Sequence, residues 1–171
     1  MQVGESIVSP ALGHRVTWRE VGAEVLAFDL RMRGNAPAIP LHVHPRQRER
    51  ITVVSGTVHS RSGSRDRELH PGETVVSPPG EPHAIAPTRG QDAEVIAELS
   101  PALAYGEFME RSFALDRAGH VTRSGRSNPL RMATLGMADA EFFMARVPIS
   151  LQRALMNAFN RIGRALGYDR D

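Results

Sequence analysis

The stretch Leu41-His42-Val43-His44-Pro45-Arg46-Gln47-Arg48-Glu49-Arg50-Ile51-Thr52-Val53-Val54-Ser55-Gly56 decides how this chain is read. His42 and His44 are spaced i, i+2, which on an extended strand puts both imidazoles on one face, where they can converge on a single ion. The pair alone says little. Glu49 then follows five residues after His44, and Gly56 seven after Glu49, adding a carboxylate and a residue that permits a tight reversal between two strands.

Further along, Gly72-Glu73-Thr74-Val75-Val76-Ser77-Pro78-Pro79-Gly80-Glu81-Pro82-His83 forms a second block. Pro78-Pro79-Gly80 is stiff turn chemistry that would deliver a strand carrying His83. Together the two blocks resemble the motifs of the cupin family. The first has HxH, a short spacer, a glutamate, six residues and a glycine, here His42, His44, Glu49 and Gly56. The second has a glycine, five residues, Pro-x-Gly, two residues and a histidine, here Gly72, Pro78, Gly80 and His83. Two positions depart from the pattern: seven residues separate Gly34 from His42 where the family has five, and Pro87 stands where an asparagine often ends the second motif. Neither departure touches a ligand.

The resemblance implies an antiparallel β-barrel of the jelly-roll type, a homodimer, and a metal held by His42, His44, Glu49 and His83. Three neutral imidazoles and one carboxylate suit a divalent first-row ion, and Fe, Mn, Ni, Zn and Cu all fit the donor set. With four protein ligands, an octahedral ion keeps two positions for water, dioxygen or a substrate oxygen.

The rest of the chain agrees with a mainly β fold. Residues 15 to about 100 read as short strands, among them HRVTW, AEVLAFDLRMR, RITVVSG, TVHSRSG, RDRELH, ETVVSP and AEVIAEL, with turn residues at nearly every junction. In the second of these, Leu26, Phe28, Leu30 and Met32 alternate with Val25, Ala27, Asp29 and Arg31, the pattern of a half-buried strand. Ser62-Gly63-Ser64 suggests a hairpin whose arginines face outward.

After Pro101 the period becomes helical, which divides the chain into a barrel at 1–100 and a C-terminal extension of about three helices at 101–171. One helix is expected at roughly 102–117. Asn128-Pro129 pairs an N-cap residue with proline at the first helical position, predicting a second helix over 129 to about 144. In the last helix Leu151, Leu155, Phe159, Ile162 and Leu166 share a stripe, and Gly167 can close it. These apolar stripes are expected to pack on the barrel, on a dimer mate or over the barrel mouth. Residues 118–127 read as a loop.

His14, His59, His70 and His120 have no partners at ligand spacing and read as surface or loop residues. Gln47 sits in the turn between two ligands and is expected to stabilise it. Trp18, Phe28 and Met32 read as core, and Met132, Met137, Met144 and Met156 as an adaptable packing surface.

Composition removes several classes of function. The 171 residues include no cysteine, which excludes disulfides and thiolate metal ligands. All 21 basic residues are arginine and they nearly balance 19 acidic ones, so nothing marks a nucleic-acid surface. No run approaches the ~20 apolar residues that span a bilayer, and the N-terminus lacks a basic start with an apolar run, so a cytoplasmic protein is expected. The function expected is a metal-dependent enzyme acting on an oxygen-bearing small molecule, a dioxygenase first, with isomerase, cyclase or decarboxylase chemistry also open and its acid or base unassigned. The alternative is a non-catalytic module that binds a small molecule or metal.

Overall fold

The computed structural model describes residues 1–169, so the last two residues of the expected 101–171 extension lie outside the described residues. Ten strands precede the first helix: β1 Ser6–Ser9, β2 His14–Val21, β3 Leu26–Met32, β4 His42–Val43, β5 Arg48–Ser55, β6 Val58–Ser62, β7 Arg65–Leu69, β8 Thr74–Ser77, β9 His83–Pro87 and β10 Ala93–Ser100. Then come α1 Tyr105–Arg117, α2 Pro129–Thr134, β11 Phe143–Met144 and α3 Ile149–Ala165. One sheet has the order β1-β2-β3-β10-β5-β8 and the other β11-β4-β9-β6-β7, with every pairing antiparallel. This is the jelly-roll barrel that the strand pattern and the two motifs predict.

The alternation read in β3 holds: Leu26, Phe28, Leu30 and Met32 are buried and Arg31 is exposed. Trp18 meets Phe28 edge-on at 5.7 Å between ring centroids. Ser62 and Arg65 are register partners across the β6–β7 hairpin, whose tip is Gly63-Ser64. At Gly56 the reversal after β5 has φ +72°, and a Cβ there would stand 2.3 Å from the Asp92 carbonyl, so the position has room only for glycine.

The C-terminal segment contributes to the same core. Tyr105, Phe108 and Phe113 of α1 join Phe28, Ile51 and Ile85 in one apolar cluster, together with Leu135 and Phe142. The helix expected over 129–144 ends at Thr134. Its start is as read, with the Asn128 side chain accepting from the Leu130 N–H at 2.8 Å. Beyond the cap, Gly136 at φ +85° turns the chain, and residues 143–144 pair with β4 as a strand. Helical spacing of apolar residues did not reveal that a sheet edge needed a partner.

The last helix forms where expected, and Gly167 follows it at φ +78°. Of the three packings expected of its stripe, contact with the barrel is not made within the chain. Leu151, Leu155, Ile162 and Leu166 are 46–57% exposed, while Gln152 and Gly163 lie buried on the inner face. A close approach decides this: a Cβ on Gly163 would come 2.7 Å from the Leu130 carbonyl, so glycine lets α3 lie against α2.

Candidate metal centre

His42 and His83 are register partners on β4 and β9, and His44 follows β4 directly. Glu49 comes from β5 in the other sheet. All four are buried, and one ligand atom from each lies within 4.8 Å of the others. The four residues named by spacing therefore meet at one point between the sheets.

The hydrogen bonds around the rings show what the site is prepared to hold. His42 Nδ1 is 2.8 Å from the Pro40 carbonyl, His44 Nδ1 is 3.0 Å from the Glu141 carbonyl, and His83 Nδ1 is 2.8 Å from the Glu81 carbonyl. A carbonyl only accepts, so each Nδ1 donates and each neutral ring turns a lone pair inward at Nε2. His42 Nε2 and His44 Nε2 then face each other at 3.1 Å. His83 Nε2 stands 2.8 Å from Glu49 Oε2 without completing a hydrogen bond. Lone pairs so arranged repel unless a proton or cation sits among them, and the donor set fits a divalent metal.

Electrostatics favour the same state for His42, His44 and Glu49. Burial, aided by His83 and His44, pushes the His42 pKa down to about 3, and burial also lowers His44. Burial opposes ionisation of Glu49, yet contact with His83 outweighs it and holds the carboxyl at about 2. For His83, burial is likewise outweighed by Glu49, which raises its pKa. A carboxylate among largely neutral imidazoles is the protonation state a metal requires.

Three further residues shape the centre. Phe142 stacks on His42 with ring centroids 4.4 Å apart and 21° between planes. Gln47 Nε2 donates to the carbonyls of Pro101 and Ala102 at 3.0 and 2.9 Å, so it ties the ligand-bearing turn to the chain leaving β10 as well as bracing that turn. Glu141, at φ +55°, is 1% exposed and accepts from the Arg46 backbone N–H at 3.0 Å, Arg46 Nε at 2.8 Å and Arg153 Nη2 at 2.8 Å. Sequence reasoning missed Glu141 and Phe142, because no spacing rule links residues nearly a hundred positions apart.

The sequence of residues 28–97 matches the cupin domain family, and that segment contains all four candidate ligands. The barrel has the cupin fold. Among solved structures, it is similar to an RmlC-like cupin from Shewanella frigidimarina NCIMB 400, at 23% identity and TM-score 0.50, over 58% of this chain and 85% of that one. It is also similar to KdgF from Halomonas sp., at 24% identity and TM-score 0.49, over 52% and 79% of the two chains. A sugar phosphate isomerase of the cupin superfamily from Silicibacter pomeroyi DSS-3 shares 16% identity at TM-score 0.47, over 58% and 67%. At 23% identity the likeness to the Shewanella structure speaks for the fold alone. No curated protein matches the sequence.

A cavity of about 230 Å³ adjoins the cupin site. Glu49 and Tyr105 reach it, and Phe28, Ile51, Phe108 and Phe142 make much of its wall. Burial, with the Glu49 charge adding to it, pushes the Tyr105 phenol well above its ordinary range, so it stays protonated. Met132 also lines the cavity, while Trp18 and Met32 are plain core, as read. His59, His70 and His120 are exposed, as expected. His14 is not: it is 7% exposed and lines the cavity, because it is in phase with the inward-facing Val16 and Trp18 of β2.

Proposed function

We propose that this cupin is a metal-dependent enzyme acting on a small, oxygen-bearing and largely apolar molecule, with dioxygenase chemistry. The observation that carries the proposal is the convergence of three outward-tethered imidazoles and one ionised carboxylate beside an apolar cavity. A divalent ion held by His42, His44, Glu49 and His83 would polarise a bound oxygen and keep positions open for substrate or dioxygen.

The chain's own residues do the rest. Phe108 and Phe142 present apolar surface to a substrate and exclude water, while Glu141 and the backbone carbonyls hold the rings in their tautomers. Isomerase or epimerase chemistry would need a base placed at a substrate carbon. Near the metal end the cavity offers only the protonated Tyr105 beside Glu49, which favours redox chemistry over proton shuttling. A homodimer belongs to the same proposal, because Leu151, Leu155, Ile162 and Leu166 leave an apolar seam at spacings of four, seven and four residues.

The test is metal analysis of protein purified without chelators, followed by oxygen uptake and product analysis on a panel of small phenols, diketones and hydroxy acids. Wild type loaded with each candidate metal is compared with His83→Ala. Metal-dependent oxygen consumption with product, lost in His83→Ala, is expected. Tight ligand binding with no product, whichever metal is loaded, would favour the non-catalytic binding module.

A further inference from the structure

At the end of the cavity away from the metal ligands sit two buried polar side chains that the four-residue centre does not use. Glu49 is level with Leu99 and thereby with Leu26 of β3, whereas His14 pairs with Met32, six residues further along the same strand. That offset is roughly 20 Å of strand, shortened by the reach of the side chains from either end. Both residues nevertheless line the same cavity.

His14 points inward with Val16 and Trp18, and its Nε2 has no hydrogen-bond partner in the protein. Asp116, 6% exposed, reaches this end of the cavity from α1. Its Oδ2 accepts from the Ser9 hydroxyl and from the Ala11 N–H, the latter at 3.0 Å, so the carboxylate is fixed from behind. Burial holds the His14 pKa at about 4 against the pull of Asp116, which leaves the ring neutral with one N–H. Buried polar atoms are ordinarily paired, and an unpaired nitrogen on a side chain that lines a cavity is a group that a ligand can satisfy.

Between the two ends the wall is mostly apolar, and among the described residues no arginine lines it. A ligand with a carboxylate at the His14 end would meet Asp116 with no counter-charge. A hydroxyl fits, accepting from the imidazole N–H while donating to the carboxylate. The volume of about 230 Å³ is below the usual range of drug-sized sites, which suits one ring with a short chain.

We infer that His14 and Asp116 form the distal end of the ligand site, and that the ligand is a small, mainly apolar molecule ending in a hydroxyl, with an oxygen donor at its other end for the metal. The proximal half of this assignment rests on the metal-dependent reading above; the distal half rests on His14, Asp116 and the cavity alone.

The probes are 4-hydroxybenzoate, 4-hydroxyphenylacetate and 3-(4-hydroxyphenyl)propanoate, each paired with the acid in which methyl replaces the phenolic hydroxyl. Binding to the full chain loaded with Mn(II) is measured by titration calorimetry, after a titration with Mn(II) alone. For the probe whose length fits, the hydroxyl acid should bind about tenfold or more tighter than its methyl partner. His14→Phe should bring that ratio to about one while binding of the methyl acid persists, and His14→Gln should keep part of the preference. Equal binding of both members at all three lengths, binding of none, or a preference intact in His14→Phe overturns the inference. If His14→Phe does not fold, the wild-type ratio and Asp116→Asn, which retains an acceptor for Ser9 and Ala11, decide it; an undiminished preference in Asp116→Asn counts against it. The two readings fail separately. No Mn(II) binding, with the hydroxyl preference present in metal-free protein, sinks the metal centre alone. Stoichiometric Mn(II) with no preference sinks the His14–Asp116 assignment alone.

Discussion

Glu141 carries three roles at one position, each from a different part of the residue. Its carbonyl fixes the His44 tautomer, its carboxylate gathers Arg46 and Arg153, and its backbone sits at φ +55°, where a side chain is disfavoured. The ion pairs hold the strained turn, and the turn aims the carbonyl. Glu141→Ala should therefore cost about 1–3 kcal/mol of stability through the lost charge-assisted hydrogen bonds. It should also weaken metal binding by roughly 10-fold or more by freeing the His44 ring. Denaturant unfolding and a competitive metal titration check the two effects, and unchanged metal affinity would show that the turn aims its carbonyl without the ion pairs. At this scale the four candidate ligands were legible through the resemblance to two family motifs, of which HxH alternation on a strand is the local part. His14 was misread as surface because it has no partner at ligand spacing, although the alternation of His14, Val16 and Trp18 along β2 marks it as inward-facing.

Among the elements, β11 and α3 show where periodicity stops being informative. Residues 129–144 contain apolar residues at helical spacing, yet the chain breaks at Gly136 and spends Phe143 and Met144 on pairing with the exposed edge of β4. Pairing satisfies backbone groups of the short strand that presents His42. In α3 a single glycine selects the inner face. Gly163→Ala should destabilise the packing of α2 against α3 by about 1–3 kcal/mol, despite alanine's better helix propensity, because the new methyl meets the Leu130 carbonyl. A lower thermal midpoint with the metal content unchanged is the expected result. A raised midpoint would mean that the helices part easily and propensity wins. Element positions were legible from turn residues and alternation, while the partner of each face was not.

For the whole molecule, the exposed seam of α3 and the sheet-bridging metal site set the remaining expectations. Leu155→Glu combined with Ile162→Glu should turn a dimer into a monomer in light scattering with metal stoichiometry retained, since neither residue approaches the ligands. A monomeric wild type would remove the dimer from the proposal. The sequence by itself determined the β-rich barrel and the absence of thiol chemistry, because alternation, turn residues and donor types are properties of short stretches, and its two motifs pointed to the candidate ligand quartet. The tertiary structure alone decided that Glu141 and Phe142 adjoin the candidate metal site, that His14 and Asp116 share its cavity, and that the stripe of α3 faces outward. Those outcomes depend on contacts between residues far apart in the chain, where closing the barrel, not local preference, chooses the neighbours.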